Sequence, residues 1–250
     1  MHEPRIIVTE DLTGAAAELA AQELSAAVAQ RGVASFVLAG GGTPLGLYRA
    51  LASPPLAQAV PWAHIHFFWG DERLVPPDDP GSNYAAAVEA LLAPLSIPTG
   101  HIHRMRGELP AEEAAADYAQ QLRVWATAHD PGAPHPWPRF DLVLLGLGDD
   151  GHTASLFPGS PPTVDRPVVA VTADYQGRPA GRVTLTPPAL NDAHHIVFLV
   201  SGSGKAQAVY NTLRTDDASR FPAQRIRPIE GRVTWLLDSA AAATLDRPPQ

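Results

Sequence analysis

Apolar positions along this chain fall into two alternating kinds of segment. Short runs in which almost every residue is apolar recur at RIIV (5–8), SFVLAG (35–40), HIHFFW (64–69), FDLVLLG (140–146), PVVAVT (167–172), RVTLT (182–186), HIVFLV (195–200) and VTWLLD (233–238). Their length and β-branched or aromatic content predict strands, and several lack alternation, as parallel strands buried on both faces do. Between them, apolar residues return every three or four positions from about Leu12 to Gln30, in PLGLYRALA (44–52), NYAAAVEALLA (83–93), EEAAADYAQQLRVWATA (112–128) and GKAQAVYNTLR (204–214), which predicts helices. The alternation predicts an α/β fold of three layers, a mostly parallel central sheet flanked by helices. No fixed-period repeat occurs, and the Pro-rich stretch HDPGAPHPWPRF (129–140) runs straight into a strand, so it reads as a loop inside a single domain spanning 1–250. In such sheets ligands bind beyond the carboxyl ends of the strands, which directs the search to the strand-end loops.

Composition narrows the ligand. The chain has 250 residues, 45% apolar and 18% charged, with a formal net charge of −8. That balance excludes a general basic face for nucleic acid or an anionic membrane, and an anionic ligand needs a local cationic pocket. Zero cysteines exclude disulfides, thiolate catalysis and cysteine-ligated metal. With no basic n-region and apolar core at the N-terminus, and no apolar run near ~20 residues, a soluble cytoplasmic protein is expected. Of the 18 basic residues only Lys205 is a lysine. Against that arginine background, Lys205 marks a place where a compact ammonium suits better than a planar guanidinium.

Four strand-end loops carry candidate chemistry. After SFVLAG, the turn Gly40-Gly41-Gly42-Thr43-Pro44 leads into a helix, which is either a tight turn or an anion cradle of backbone N–H groups at a helix N-terminus. After HIHFFW come Asp71, Glu72 and Arg73, an ion-pair cluster or an arginine held to fork onto a phosphate or carboxylate; downstream, Ser82 or Asn83 is a helix N-cap or a substrate contact. After HIVFLV, SGSGKAQ lacks the first glycine and the Ser/Thr of a P-loop, holding Leu199 and Ala206 there, and so reads as a phosphate-neutralising turn with Lys205.

The fourth loop, GLGDDGHTASLFPG (146–159), spaces Gly146, Gly148 and Gly151 as G-x-G-x-x-G, with an acidic Asp174 downstream in the manner of a dinucleotide site. A dinucleotide loop runs into a long helix, yet Pro158, Pro161 and Pro162 forbid one here, and Asp149 and Asp150 would set two carboxylates against a pyrophosphate. The other reading is a working imidazole, His152, supported by Asp150 at a strand end. The pairs His64/His66 and His101/His103 read as scattered polar positions rather than metal ligands, and His194-His195 as the opening of a strand.

Together these loops resemble the 6-phosphogluconolactonase family, through GGGTP (40–44), WGDERLVP with SN (69–76 and 82–83), GLGDDGHTASLFPG (146–159), and RVTLT with VSGSGKA (182–186 and 200–206). The pieces fall in family order and span most of the chain. Two departures stand out: the family's S-G-G-[ST]-T-P reads A-G-G-G-T-P, so Gly42 brings no hydroxyl, and Asp149 fills a position often held by proline. The related deaminase-isomerase branch continues after D-G-H to an N-E-P whose glutamate partners the histidine. Here Ser155, Leu156 and Phe157 stand there, and that branch's D-E-Y reads Asp71-Glu72-Arg73.

The resemblance implies a fold of the sugar-phosphate isomerase/deaminase type and hydrolysis of 6-phospho-D-glucono-1,5-lactone, with no cofactor and no metal. It implies His152 as general base with Asp150 as its support, and Gly41, Gly42, Thr43, Asp71, Arg73, Asn83 and Lys205 as the substrate-binding set. The expected partner is a phosphorylated sugar lactone, without nucleic acid or membrane, and the expected state a monomer, with a weak dimer as the alternative. A glucosamine-6-phosphate deaminase-type enzyme and an NAD(P)-binding oxidoreductase are the competing readings. A sugar-phosphate-responsive regulator would need a DNA-binding module, for which the α/β pattern from Arg5 to Asp238 leaves no room. The oxyanion donor is not identified by any motif.

Overall fold

Each predicted apolar run is a strand in the computed structural model, which describes residues 3–132, 134–161 and 164–245. In chain order the strands and helices are β1 (Arg5–Val8), α1 (Leu12–Arg31), β2 (Ala34–Leu38), α2 (Gly42–Leu51), α3 (Leu56–Ala59), β3 (Ile65–Trp69), β4 (Asp71–Arg73), α4 (Asn83–Ala87), α5 (Ala111–His129), β5 (Leu142–Leu145), β6 (Val168–Thr172), β7 (Gly181–Leu185), α6 (Pro187–Asn191), β8 (His195–Val200), α7 (Ala206–Arg214), β9 (Arg232–Leu237) and α8 (Ser239–Ala242). Six strands form one sheet in the order β1-β9-β8-β5-β2-β3, with every adjacent pair parallel.

Both faces of this sheet are buried, which explains its unalternated apolar runs. Phe36, Leu38, Leu142, Leu144, Val197 and Leu199 enter one core with α1, α2 and the segment after α4. The intervening Val37, Val143, Leu145, Ile196, Phe198 and Val200 enter another, with α5, α6 and α7. Successive side chains of a strand point to opposite faces, so an apolar residue is required at every position.

Helix ends follow local chemistry. The Asp11 carboxylate caps α1 by accepting from Gly14 N–H (2.8 Å), and Gly32, at φ 77°, closes it with its N–H on the Val28 carbonyl. The stretch 83–93, expected as one helix, is α-helical only to Ala87 and then widens into a π-turn over Val88–Leu92, with Ala93 N–H reaching back five residues to Val88. Residues 203–205 form a 3₁₀ turn ahead of α7 instead of its first turn.

The expectation of one sheet is corrected at β6 and β7. These runs form a separate three-stranded antiparallel sheet, ordered β4-β7-β6, whose third member is the Asp71–Arg73 triplet expected to be loop. The physical reason is Gly70. It ends β3 against the Leu38 carbonyl and then accepts from Leu185 N–H, so the chain turns out of the parallel sheet directly into pairing with β7. Among the described residues no helix is long and apolar enough to cross a membrane.

Candidate active site

The carboxyl ends of the parallel strands and the small antiparallel sheet enclose a cleft of about 230 Å³. Of the residues expected to carry function, Gly41, Gly42, Thr43, Asp71, Arg73, Asn83, His152 and Lys205 all line it. Asp150 stands behind His152: its Oδ1 lies 2.6 Å from His152 Nδ1 and also accepts the His152 backbone N–H at 3.1 Å. Engaging Nδ1 leaves Nε2 as the nitrogen free for water or substrate.

The glycine-rich loop that carries this pair holds no helix among its described residues, so the dinucleotide reading fails on geometry. Its glycines have other causes. A Cβ on Gly148 would lie 2.1 Å from His152 Nδ1 and 2.5 Å from Asp150 Oδ1, so the imidazole–carboxylate pair packs into the space that glycine leaves. Gly151 takes φ +85°, which reverses the chain just before His152. Thr153 then donates its hydroxyl to the Gly146 carbonyl (2.8 Å) and closes the loop.

The other strand-end loops are similarly held. Tyr48 of α2 both donates to the Ala39 carbonyl (2.8 Å) and accepts the Ala39 N–H (2.9 Å), fixing the strand end from which the Gly40–Gly42 turn departs. Gly41 has φ +101° there, and Gly40 lies so close to Asn83 that a Cβ would fall 1.9 Å from its Oδ1. Glu72 is buried and accepts from the N–H groups of Arg73, Asn83 and Tyr84 and from the Ser82 hydroxyl, tying β4 to the start of α4. Burial pushes its carboxyl up while those four donors oppose the rise. Ser82 is the N-cap, accepting from Ala85 N–H, which frees Asn83 to donate Nδ2 to the Asp71 carbonyl (2.9 Å) and carboxylate (3.2 Å). Asp71 also accepts from the Ser155 hydroxyl at 2.6 Å. The turn before Lys205 is held by Asp238, which accepts from the Ser201 hydroxyl and Gly202 N–H.

The register of the small sheet supplies a residue that motif reading quoted in RVTLT without giving it a role. Arg182 sits directly across from Arg73. Arg182 is 3% exposed, and its Nε and Nη2, like the Nε of Arg73, are buried without a hydrogen-bond partner. Burial lowers the Arg182 pKa, Asp71 opposes that, and Arg73 adds to it. Two guanidinium groups opposed across a ladder repel unless an anion lies between them. The tip of the β6–β7 hairpin adds Tyr175, Gln176 and Arg178 to the lining, three further residues that no motif marked.

His152 is mostly covered. Burial lowers its pKa first; Asp150 and Asp71 oppose the shift and Lys205 assists it. The imidazole is therefore neutral at pH 7, the form that can accept a proton. The histidines read as scattered are partly gathered elsewhere. His64 closes a 3₁₀ turn before β3, whereas His66 Nδ1 lies 2.9 Å from His103 Nε2, with His101 stacked on His66 and His129 tilted against it.

A parallel α/β sheet whose strand ends hold an imidazole backed by a carboxylate, faced by two arginines paired across a small antiparallel sheet, defines the class: an enzyme for a small anionic substrate. Comparison with known proteins gives the class its family. The family model described as glucosamine-6-phosphate isomerases/6-phosphogluconolactonase matches residues 8–235. A 6-phosphogluconolactonase of Synechocystis sp. is 42% identical over 227 residues, 89% of either chain. One of Mycobacterium tuberculosis is 41% identical over 243 residues, 94% of either chain. The solved structure of 6-phosphogluconolactonase from Trypanosoma brucei matches with a TM-score of 0.83 at 30% identity, covering 98% of this chain and 100% of that one. The chain belongs to the glucosamine-6-phosphate isomerase/6-phosphogluconolactonase family.

Proposed function

We propose that the chain hydrolyses 6-phospho-D-glucono-1,5-lactone to 6-phospho-D-gluconate, with His152 as the general base. The observation that carries this reading is the meeting, in one cleft, of the His152–Asp150 pair with the unpartnered guanidinium donors of Arg73 and Arg182. The guanidinium groups, Lys205 and the N–H groups of Gly41, Gly42 and Thr43 hold the phosphate, which carries about −1.5 to −2 charge near neutral pH. Asp71 and Asn83 orient the sugar hydroxyls, and the Asp71 carboxylate offsets the charge of Arg182.

In this mechanism His152 Nε2 takes a proton from a water as its oxygen attacks the lactone carbonyl. Asp150 holds the proton on Nδ1 and stabilises the imidazolium. Collapse of the tetrahedral intermediate breaks the bond from the carbonyl carbon to the ring oxygen, which takes the proton from Nε2 and becomes the free hydroxyl of the open acid. The products are one carboxylic acid and a regenerated neutral imidazole, with no redox change.

The deaminase alternative fits less well, because the position of that branch's glutamate partner lies within Ser155-Leu156-Phe157. Ser155 is committed to Asp71, and the Phe157 ring packs 4.4 Å from the imidazole. A pH-controlled assay of freshly made 6-phosphogluconolactone, corrected for spontaneous opening, tests the reading, with glucosamine 6-phosphate run in parallel. Lactone opening well above background without ammonia release is expected; ammonia release from the amino sugar, or no lactone opening, would overturn it.

A further inference from the structure

The hairpin joining β6 to β7 is not explained by phosphate binding alone. Its tip is a two-residue turn: Tyr175 and Arg178 pair across it, with Arg178 N–H on the Tyr175 carbonyl (3.1 Å), and Gln176 and Gly177 both take positive φ, 52° and 65°. Two successive left-handed residues make the type I′ turn that suits the twist of a hairpin. Residues opposite one another in an antiparallel pair share a face, so this turn presents Tyr175 and Arg178 together to the cleft, whose lining includes both.

The Tyr175 ring stands edge-on to His152, centroids 4.6 Å apart at 80°, while Phe157 covers the imidazole at 4.4 Å. The Tyr175 hydroxyl donates to the Asp149 carboxylate and accepts from Gln176 Nε2 at 3.0 Å. Asp149 belongs to the same loop as His152, so a single hydrogen bond ties the hairpin tip to the loop that carries the imidazole. We propose that Tyr175 is a positioning residue: its ring closes one side of His152, and its bond to Asp149 fastens the hairpin, with Arg178, over the substrate. This role deepens the lactonase reading and rests on it for its kinetic consequence, but not for its effect on the imidazole.

The charged and titratable groups acting around His152 are Asp149 and Asp150 from its own loop, Asp71 from β4, Lys205 from the turn before α7, and Tyr175 itself. Stripping the Tyr175 ring admits water to an imidazole whose pKa burial holds down, so that pKa rises. A general base works only when neutral, and the acid limb of the rate profile therefore moves to higher pH.

The test combines turnover with an NMR titration of His152 in the full chain. Tyr175→Phe and Asp149→Ala each break the same exposed bond, so each should raise KM about two- to fivefold with kcat at pH 8 near the wild-type value. The double variant should be no worse than the poorer single, because only one interaction is there to lose. Tyr175→Ala should raise the His152 pKa and carry the acid limb of kcat/KM with it, whereas Tyr175→Phe, which keeps the ring, should leave that pKa close to its wild-type position. Effects that multiply in the double variant, or a His152 pKa unmoved in Tyr175→Ala, would overturn the proposal. If the wild-type protein opens no lactone, the proposed function fails on its own, and the His152 titration still decides whether Tyr175 shields the imidazole.

Discussion

At the residue scale the site turns on what Gly148 leaves room for. The G-x-G-x-x-G spacing is shared by loops that approach a pyrophosphate and by this loop, because both must turn sharply at a strand end. What separates them is spatial: the space beside Gly148 is filled by His152 and Asp150, not left for a ligand. Gly148→Ala should therefore act as a displacement of the dyad, lowering kcat by about tenfold to a hundredfold with modest change in KM, as expected when a reacting group moves by a fraction of an ångström to 1 Å. Circular dichroism and Tm would confirm that the fold survives, and wild-type turnover would show that the pair does not depend on that contact. His152→Asn gives the reference, a loss of at least about two decades in kcat with KM nearly unchanged. The contact between His152 and Asp150 was legible in D-G-H because the two residues are neighbours in sequence. Arg182 was not assigned, because its role comes from a cross-strand register with Arg73 that no local spacing encodes.

At the element scale, periodicity identified strands but not the sheets they join. The runs at 167–172 and 182–186 are strands as read, yet nothing in their composition says that they leave the parallel sheet, and a three-residue β4 is too short to show a period at all. That small sheet is what carries the cations. Because Arg182 is buried across the ladder from Arg73 with two donors that no protein group accepts, Arg182→Gln should relieve repulsion and a buried charge, leaving Tm unchanged or raised while KM for the phosphorylated lactone rises tenfold or more. A parallel fall in Tm and affinity would make Arg182 a structural residue instead. The turn into α7 makes a milder version of the same point. Lys205 is the only lysine and lines the cleft from a turn fixed by Asp238, so Lys205→Arg should raise KM severalfold; unchanged kinetics would return that lysine to an accident of composition.

At the scale of the whole molecule, the half-buried histidines set how stability responds to acid. The HxH pairs were visible in sequence, but their meeting was not, since it takes β3, the 101–103 segment and the end of α5 to bring His66, His101, His103 and His129 together. His103 stacks on Phe68 at 4.5 Å, His129 on Trp125 at 4.4 Å, and His66 on His101 at 4.3 Å, so this cluster docks α5 on the outer strand of the sheet. Burial, then the neighbouring imidazoles, lowers His66 to about 3 and His103 to about 4. His152 and His194 are lowered too, burial again being the first cause. An unfolded histidine titrates near 6.5, so as pH falls from there toward 3 the unfolded chain binds more protons than the native one, and stability falls. The lowered carboxyls of Glu23, Glu108 and Asp238 act in the same direction but only at lower pH, and Glu72, raised by burial, acts against it. The native state should thus hold a nearly level Tm from pH 8 to 7 and lose several degrees between pH 6.5 and 5, at about 2–4 °C per kcal/mol for a chain of this size. His66→Gln removes one of the depressed groups and should flatten that slope, whatever it does to Tm at pH 8. Melting curves for the two proteins that stay parallel across this range would mean that the cluster around α5 is not where the acid sensitivity lies.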